Sequence, residues 1–282
     1  MTRRPLTVEV LISTLGADGI RRVASMNLPQ AEGVSYLVAW QRSGNVEIPA
    51  ALAERPDIRI ARNPDIGLSD NRNFALDRAM GDILVIADDD VEYTPEAFAA
   101  VRNAYTEYPG LDMALFRYRN AAGRFEKIYP DTEASLCRSI PKGYYVSSIE
   151  ITLRRQGRAA AVRFPEEFGI GAPCFGCGEE EIVLRRALRR GCDVRLFPDL
   201  LCTHCGDTTG QRRVTDQRVY RGMGAAVAYT EPLKCYLRFP LMAWRGARRG
   251  TMSFFPALAG FASGALYASL RVFPRWRKEG GL

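Results

Sequence analysis

No signal peptide opens this sequence. The stretch MTRRPLTVEVLIST carries two arginines and then an alternating strand, without the apolar core and small-residue cleavage site that a secretory leader needs. Cysteine is scarce, at seven, and odd in number, which argues against a disulfide-stapled secreted scaffold. An intracellular, cytoplasmic and reduced protein is therefore expected. There is no internal repeat and no low-complexity linker. Near the first strand there is no glycine-rich, lysine-containing phosphate loop, which counts against a nucleotidyltransferase. The arginines are dispersed and interleaved with acids rather than gathered in a stripe with stacking aromatics, so no nucleic-acid partner is expected. Histidine occurs once.

What is present bounds the answer from the other side. A chain of 282 residues holds one large domain, or one with an appendage, and 47% apolar residues suffice for a sizeable core. The net charge of +7, dominated by arginine, suits nucleotides, phosphates or a lipid surface. Thr251 to Leu270 runs 20 residues without a charge, long enough to span a bilayer, with Gly260 and Gly264 at a spacing used for close helix packing. Its richness in Ala, Gly and Ser, its Pro256 and the arginines at both ends favour a helix that packs on the rest of the protein or lies on a membrane. The basic, aromatic C-terminal region suggests peripheral membrane contact.

Along the chain, apolar strands are expected at Thr7–Ser13, Val34–Trp40, Asp57–Ala61, Ile83–Ala87 and Leu111–Arg119. Helices are expected after Ser69, as N-cap, to Met80 with Gly81 as the stop, and from Thr94–Glu96 to about Glu107. Tyr145–Arg154 reads as a strand or helix edge, Glu179–Arg190 as a helix, and Val194–Phe197 as a strand. Thr215–Thr230 and Pro232–Arg249 read as helices. Alternating strands and helices predict a mostly parallel sheet covered on both faces, with ligands bound beyond the carboxyl ends of the strands. The expected division is residues 1–210 as the catalytic domain and 211–282 as a C-terminal helical extension.

Asp88, Asp89 and Asp90 follow the fully apolar strand ILVIA. Aspartates at a strand end serve as turn formers, or they bind a hard cation such as Mg²⁺ or Mn²⁺ through oxygen ligands, with phosphate oxygens completing the shell.

Taken in order, several segments resemble the family-2 glycosyltransferases of the GT-A fold: VEVLIST at Val8–Thr14, GLSDNRNFA at Gly67–Ala75, ILVIADDD, and FPEEFGIGAPCFGCGEEE at Phe164–Glu181, with His204 after the next strand. The resemblance covers roughly residues 6–230 and implies a GT-A-like, Rossmann-like sheet flanked by helices. In its terms Asp88 contacts the ribose or the metal, Asp90 binds the metal, and Asp89 assists either. Thr14 and Leu15 line the base, and Arg72 and Asn73 approach base or diphosphate. His204 takes a metal or diphosphate role. Two departures stand out: the first strand ends Ser-Thr-Leu-Gly where many relatives have Thr-Tyr-Asn, and the acidic helix start is Glu-Glu-Glu where Glu-Asp is common.

Glycosyl transfer needs charge stabilisation on the leaving diphosphate, a carboxylate to take the acceptor proton, and alignment of the two. The triplet answers the first need. Glu179 and Glu180 answer the second from a helix N-terminus, with Glu180 aligned to the family's catalytic Asp as candidate base and Glu179 touching the acceptor or exchanging roles with it. Without the triplet they would read as ordinary first-turn acids. Arg212 and Arg213, after the GDTTG loop, would close over the diphosphate or form a solvated basic loop. The expectation is an inverting, metal-dependent transferase that uses a nucleotide-sugar, with UDP as the expected nucleotide. Its acceptor is a glycan, a lipid-linked glycan or a small molecule, and it works peripherally at the inner face of a membrane. The rival is a zinc-stapled binding module without transferase activity, because Cys174, Cys177, Cys202 and Cys205 have the paired spacing of a four-thiolate zinc site.

Overall fold

The computed structural model describes residues 4–137, 139–206 and 215–278. The chain divides into two compact units. The first holds residues up to 66 together with 70–163 and 187–206, and the second holds 67–69, 164–186 and 207 onward.

In the first unit the strands are β1 (Val8–Leu15), β2 (Val34–Gln41), β3 (Ile58–Asn63), β4 (Ile83–Asp88), β5 (Val91–Glu92), β6 (Met113–Asn120), β7 (Ala134–Ser135), β8 (Ile151–Arg154) and β9 (Val194–His204). They form one mixed sheet in the order β3-β2-β1-β4-β8-β6-β9-β5, with β7 also on β9. The long ladders β3-β2-β1-β4 and β6-β9 are parallel; β8, β5 and β7 pair antiparallel. Helices α1 (Gly16–Ser25), α2 (Ala50–Ala53), α3 (Leu68–Arg78) and α4 (Pro95–Glu107) connect them. The chain steps from β1 outward through β2 to β3 and then returns to the other side of β1 as β4. That reversal leaves a crevice beyond the carboxyl ends of β1 and β4.

The strands expected from apolar runs are present because parallel strands buried on both faces need no polar alternation: Val8, Val10, Ile12, Ile83 and Val85 are fully buried. Thr94 caps α4, its side chain accepting from Ala97 N. Three expectations need correction. Ser69 does not cap α3: that helix begins at Leu68, whose N–H is taken by the Ile170 carbonyl at 2.9 Å, and the Ser69 hydroxyl donates to the Phe168 carbonyl at 2.7 Å. Its end falls at Arg78, before Gly81. Strand β9 continues through Pro198 to His204, because a register shift against β6 between Leu115 and Tyr118 absorbs the missing proline donor.

The second unit carries α5 (Glu179–Arg189) from its start to Arg186, and then α6 (Gln217–Thr230), α7 (Cys235–Arg248), α8 (Phe254–Tyr267) and α9 (Phe273–Lys278). Its core is Phe168, Phe175, Ile182, Tyr220, Phe239, Phe261 and Trp276 with small residues between them. The uncharged run at 251–270 packs within this unit. A Cβ at Gly264 would lie 2.1 Å from the Arg221 carbonyl oxygen, and one at Gly260 would lie 2.5 Å from Tyr220 Cβ, so the two glycines let α8 press against α6. Among the described residues no helix is long and apolar enough to cross a membrane, which corrects the spanning alternative.

Candidate active site

The crevice at the ends of β1 and β4 gives each aspartate of the triplet its own basic partner. Asp88 ends β4, opposite Ser13 of β1 in register. Its Oδ1 accepts from Arg72 Nη2 at 2.9 Å and its Oδ2 from Ser148 Oγ at 3.2 Å. Arg72, on α3, has a side chain only 1% exposed, so its charge is directed at Asp88 inside the protein. Asp89 takes both Nε and Nη2 of Arg22 on α1, at 3.1 and 2.8 Å, and the Thr14 hydroxyl at 2.6 Å. Burial nonetheless keeps its carboxyl above the usual range, against the pull of Arg22 and Thr14. This approach of α1 needs Gly19, where a Cβ would fall 2.2 Å from Thr14 Oγ1. Asp90 faces His204: Oδ2 lies 3.3 Å from Nε2, and the hydrogen bond that the imidazole donates to Asp90 raises its pKa. The pairing of Val91 with His204, and the Cys205 N–H bonded to the Asp90 carbonyl at 2.8 Å, bring these two residues together. Three adjacent carboxylates are therefore tolerated because three different bases divide them.

Ser148 reaches Asp88 from a short helical turn at 148–150 whose anchor is Glu150, fully buried. Glu150 accepts from Lys127 Nζ at 2.8 Å, Tyr129 OH at 2.5 Å, Tyr144 OH at 3.2 Å and Ser147 N at 2.6 Å. Lys127 spends two further bonds on Tyr145 O and Ser147 Oγ, at 2.7 and 2.9 Å, and tyrosine rings surround its ammonium, the nearest, Tyr145, at 4.2 Å. Burial pushes the Glu150 carboxyl up, and Lys127 opposes it.

A groove of about 480 Å³ opens beside the triplet, lined by Arg21, Arg22, Asp89, Asp90, Cys205 and Gly206 among others. A second depression, about 380 Å³ and lined by Gln30 to Glu32, Pro56 and Asp57, lies where β2 and β3 begin, away from the carboxyl ends, and bears no comparable cluster. Two buried atoms of the facing pair lack a hydrogen-bond partner among the described residues: Oδ1 of Asp90, which lines the groove, and Nδ1 of His204. A Cβ at Gly206 would sit 2.2 Å from Asp90 Oδ2, so bare backbone borders that carboxylate. A free carboxylate oxygen and an imidazole are donors that suit Mn²⁺ or Mg²⁺. Among the described residues no group of three or more His, Cys, Asp and Glu is arranged to hold a metal ion. The set that fits is thus smaller than expected: Asp90 and His204 face one another, while both oxygens of Asp88 are engaged by Arg72 and Ser148.

The remaining expected residues fall as follows. Thr14 is buried against Asp89, Leu15 is half-exposed at the end of β1, and Asn73 is buried on α3. Arg212 and Arg213 lie outside the described residues. In the second unit Glu179 is buried at the first turn of α5, and an added Cβ at Gly169 would lie 3.0 Å from its Oε1 and 3.2 Å from Ser69 Oγ. Glu180 is half-buried, and Glu181 pairs with Arg185 at 3.1 Å. Among the described residues the four cysteines form no metal-holding group. Cys177 gives its hydrogen to the Val219 carbonyl at 3.4 Å, and burial, reinforced by Glu179 and Glu180, pushes its thiol pKa up and disfavours a thiolate. Cys202 is buried on β9 with its Sγ on Ile149 O, while Cys205 is exposed. Arg22 and Ser148 escaped the sequence reading. Ser148 lies 60 residues from its partner with no motif around it, whereas Gly19, Ile20 and Val23 on one helical face were a usable sign of α1 and hence of Arg22.

Against known proteins, residues 43–166 match the profile of glycosyl transferase family 2. A comparison with the curated proteins finds no match. Among solved structures, S. aureus TarS is similar in fold: a TM-score of 0.54 at 16% identity over 88% of this chain, which spans 44% of that protein. Its 1–349 fragment in complex with UDP-GlcNAc gives 0.57 at 16% identity over 95% of this chain and 76% of the fragment. The same fragment with UDP gives 0.52 at 14% identity over 98% of this chain and 88% of the fragment.

Proposed function

We propose that this chain, whose residues 43–166 match the profile of glycosyl transferase family 2, moves a sugar from a nucleotide-sugar to an acceptor hydroxyl and releases the nucleoside diphosphate. The observation that carries the reading is the divided triplet. Within the family-matched segment, at the strand reversal where such sheets bind nucleotides, three carboxylates are held by Arg72, Arg22 and His204 beside an open groove. UDP is the favoured nucleotide, by analogy with the UDP-GlcNAc and UDP complexes of TarS. The acceptor is a glycan, lipid-linked or small-molecule hydroxyl, and the protein works peripherally at the inner face of a membrane.

In this reading Asp90 and His204 would hold Mn²⁺ or Mg²⁺, which would supply positive charge toward the departing diphosphate. Asp88 and Asp89 serve the nucleotide: their bonds to Arg72, Arg22 and Thr14 fix their carboxylates before any ligand arrives, so little ordering remains to be done on binding. Thr14, Leu15 and Asn73 complete the base and diphosphate side, with Arg213 as the remaining expected contact. Glu180 takes the acceptor proton in a single displacement that inverts the anomeric carbon, and Glu179 orients the acceptor. Both stand in the first turn of α5, at the positive end of its dipole.

The test is a panel of nucleotide diphosphates and nucleotide-sugars, read by thermal shift with and without Mn²⁺, followed by turnover of the stabilising donor. Glu180→Gln should keep the donor-induced shift and lower turnover by about 10²- to 10⁴-fold. Full turnover in that variant removes Glu180 as the base. An unchanged melting temperature with every nucleotide removes the transferase reading.

A further inference from the structure

The second unit presents an apolar surface that its own core leaves uncovered. Helix α7 buries Cys235, Phe239, Ala243 and Gly246, one coherent face at helical spacing. Roughly opposite, Leu237, Leu241 and Trp244 are 81%, 45% and 47% exposed, and Leu233, just before the helix, is 93% exposed. Steps of three and four residues line these side chains up along one stripe. Lys234, Arg238, Arg245 and Arg249 follow the same steps on an adjoining strip and are all exposed. One of them, Arg238, is partly offset by Glu231 at 2.6 Å. From residue 232 to 278 the sequence has nine lysines and arginines and not one aspartate or glutamate.

An exposed leucine-tryptophan stripe bordered by cations on a helix too short to cross a bilayer has the character of an interfacial helix lying in the plane of the headgroups. We propose that α7 docks this protein on an anionic lipid surface, with Leu237, Leu241 and Trp244 entering the headgroup–acyl boundary and Lys234, Arg245 and Arg249 meeting lipid phosphates. Charge complementarity selects this occupant. A second copy of the chain would set the same predominantly basic surface against itself, and like charges meeting in an isologous contact repel. The inference rests on the peripheral-membrane half of the reading above and is independent of the transfer half.

The experiment is co-sedimentation of the full chain with sucrose-loaded phosphatidylcholine vesicles, with and without phosphatidylglycerol. It is paired with quenching of tryptophan fluorescence by brominated phosphatidylcholine in the same mixture. Trp40 and Trp276 are buried, so quenching reports Trp244. The wild type should pellet with phosphatidylglycerol vesicles, release in high salt, and show quenched fluorescence. Arg245→Gln and Arg249→Gln should each weaken binding by about fivefold. Leu237→Ser combined with Leu241→Ser should weaken it at least about tenfold at unchanged melting temperature, since both side chains are exposed. The proposal is overturned if the wild type stays in the supernatant with both vesicle types, or if the serine variant pellets like the wild type. It is equally overturned if sedimentation velocity finds a dimer that the serine variant dissolves, which would make the stripe a self-contact. UDP binding, measured in parallel without vesicles, should be the same in all these variants; its loss in the wild type would count against the transferase reading and leave the lipid result standing.

Discussion

Glu150 and Asp90 are both acidic residues facing a base in the first unit, and they are built in opposite ways. Glu150 is sealed: fully buried, bonded by Lys127, two tyrosine hydroxyls and a backbone N–H, with the facing ammonium's three donors all engaged. Asp90 is open: one oxygen faces His204 at 3.3 Å, the other is buried without a partner, and a groove and a glycine border it. A closed pair leaves nothing for a ligand to bind. An incomplete pair at the carboxyl end of a strand is where a cation and a diphosphate would find donors. The difference separates a charge that holds the fold from a charge available for chemistry, although the sequence distinguishes neither from a surface acid.

The largest effect should come from breaking the sealed pair. Glu150→Ala leaves Lys127 buried without its counter-charge and should cost about 3–5 kcal/mol in urea unfolding. Replacing both partners, Lys127→Met with Glu150→Leu, should recover part of that loss, because the uncompensated ammonium is gone while Tyr129, Tyr144 and Ser147 N still lack their acceptor. If the double variant is no more stable than Glu150→Ala, the pair is doing something other than neutralising itself. Next in size is Asp89→Asn, which loses the paired bonds to Arg22 and weakens the one from Thr14. About 1–2 kcal/mol of stability should go with it, read from the urea midpoint. Smallest in stability is Asp90→Ala. Its carboxylate has one long contact and one unpartnered oxygen, so the urea midpoint should move by less than about 1 kcal/mol while metal-dependent nucleotide binding disappears. A large loss of stability in Asp90→Ala would make Asp90 resemble Glu150 and erase the contrast.

How much of this could be read in advance depended on whether the cause was local. The strands of the parallel ladders were legible because burial on both faces leaves a continuous apolar run, as in ILVIA. The triplet was legible as a cluster, because three acids after such a run conflict with its character. Helix α1 was not, since it opens Gly-Ala-Asp-Gly after Leu15 and has no side-chain cap. Strand β9 was cut short at Pro198 because the bulge that accommodates the proline is made with β6, nearly eighty positions earlier in sequence. Arg22 and Ser148 belong to the same class: they act on Asp89 and Asp88 only after the sheet has brought distant segments together. The cysteine pairs misled for a related reason. Spacing in sequence proposed four thiolates, but Cys202 on β9 and Cys205 just after it differ in burial and bond to carbonyls.

Isothermal titration of UDP into the full chain, first with Mn²⁺ and then with EDTA, in wild type and Asp90→Ala, tests the central claim most directly. The account predicts a saturable heat with Mn²⁺ in the wild type, and none with EDTA or in Asp90→Ala. Equal UDP affinity with and without metal, or an Asp90→Ala variant that binds UDP–Mn²⁺ like the wild type, would contradict it.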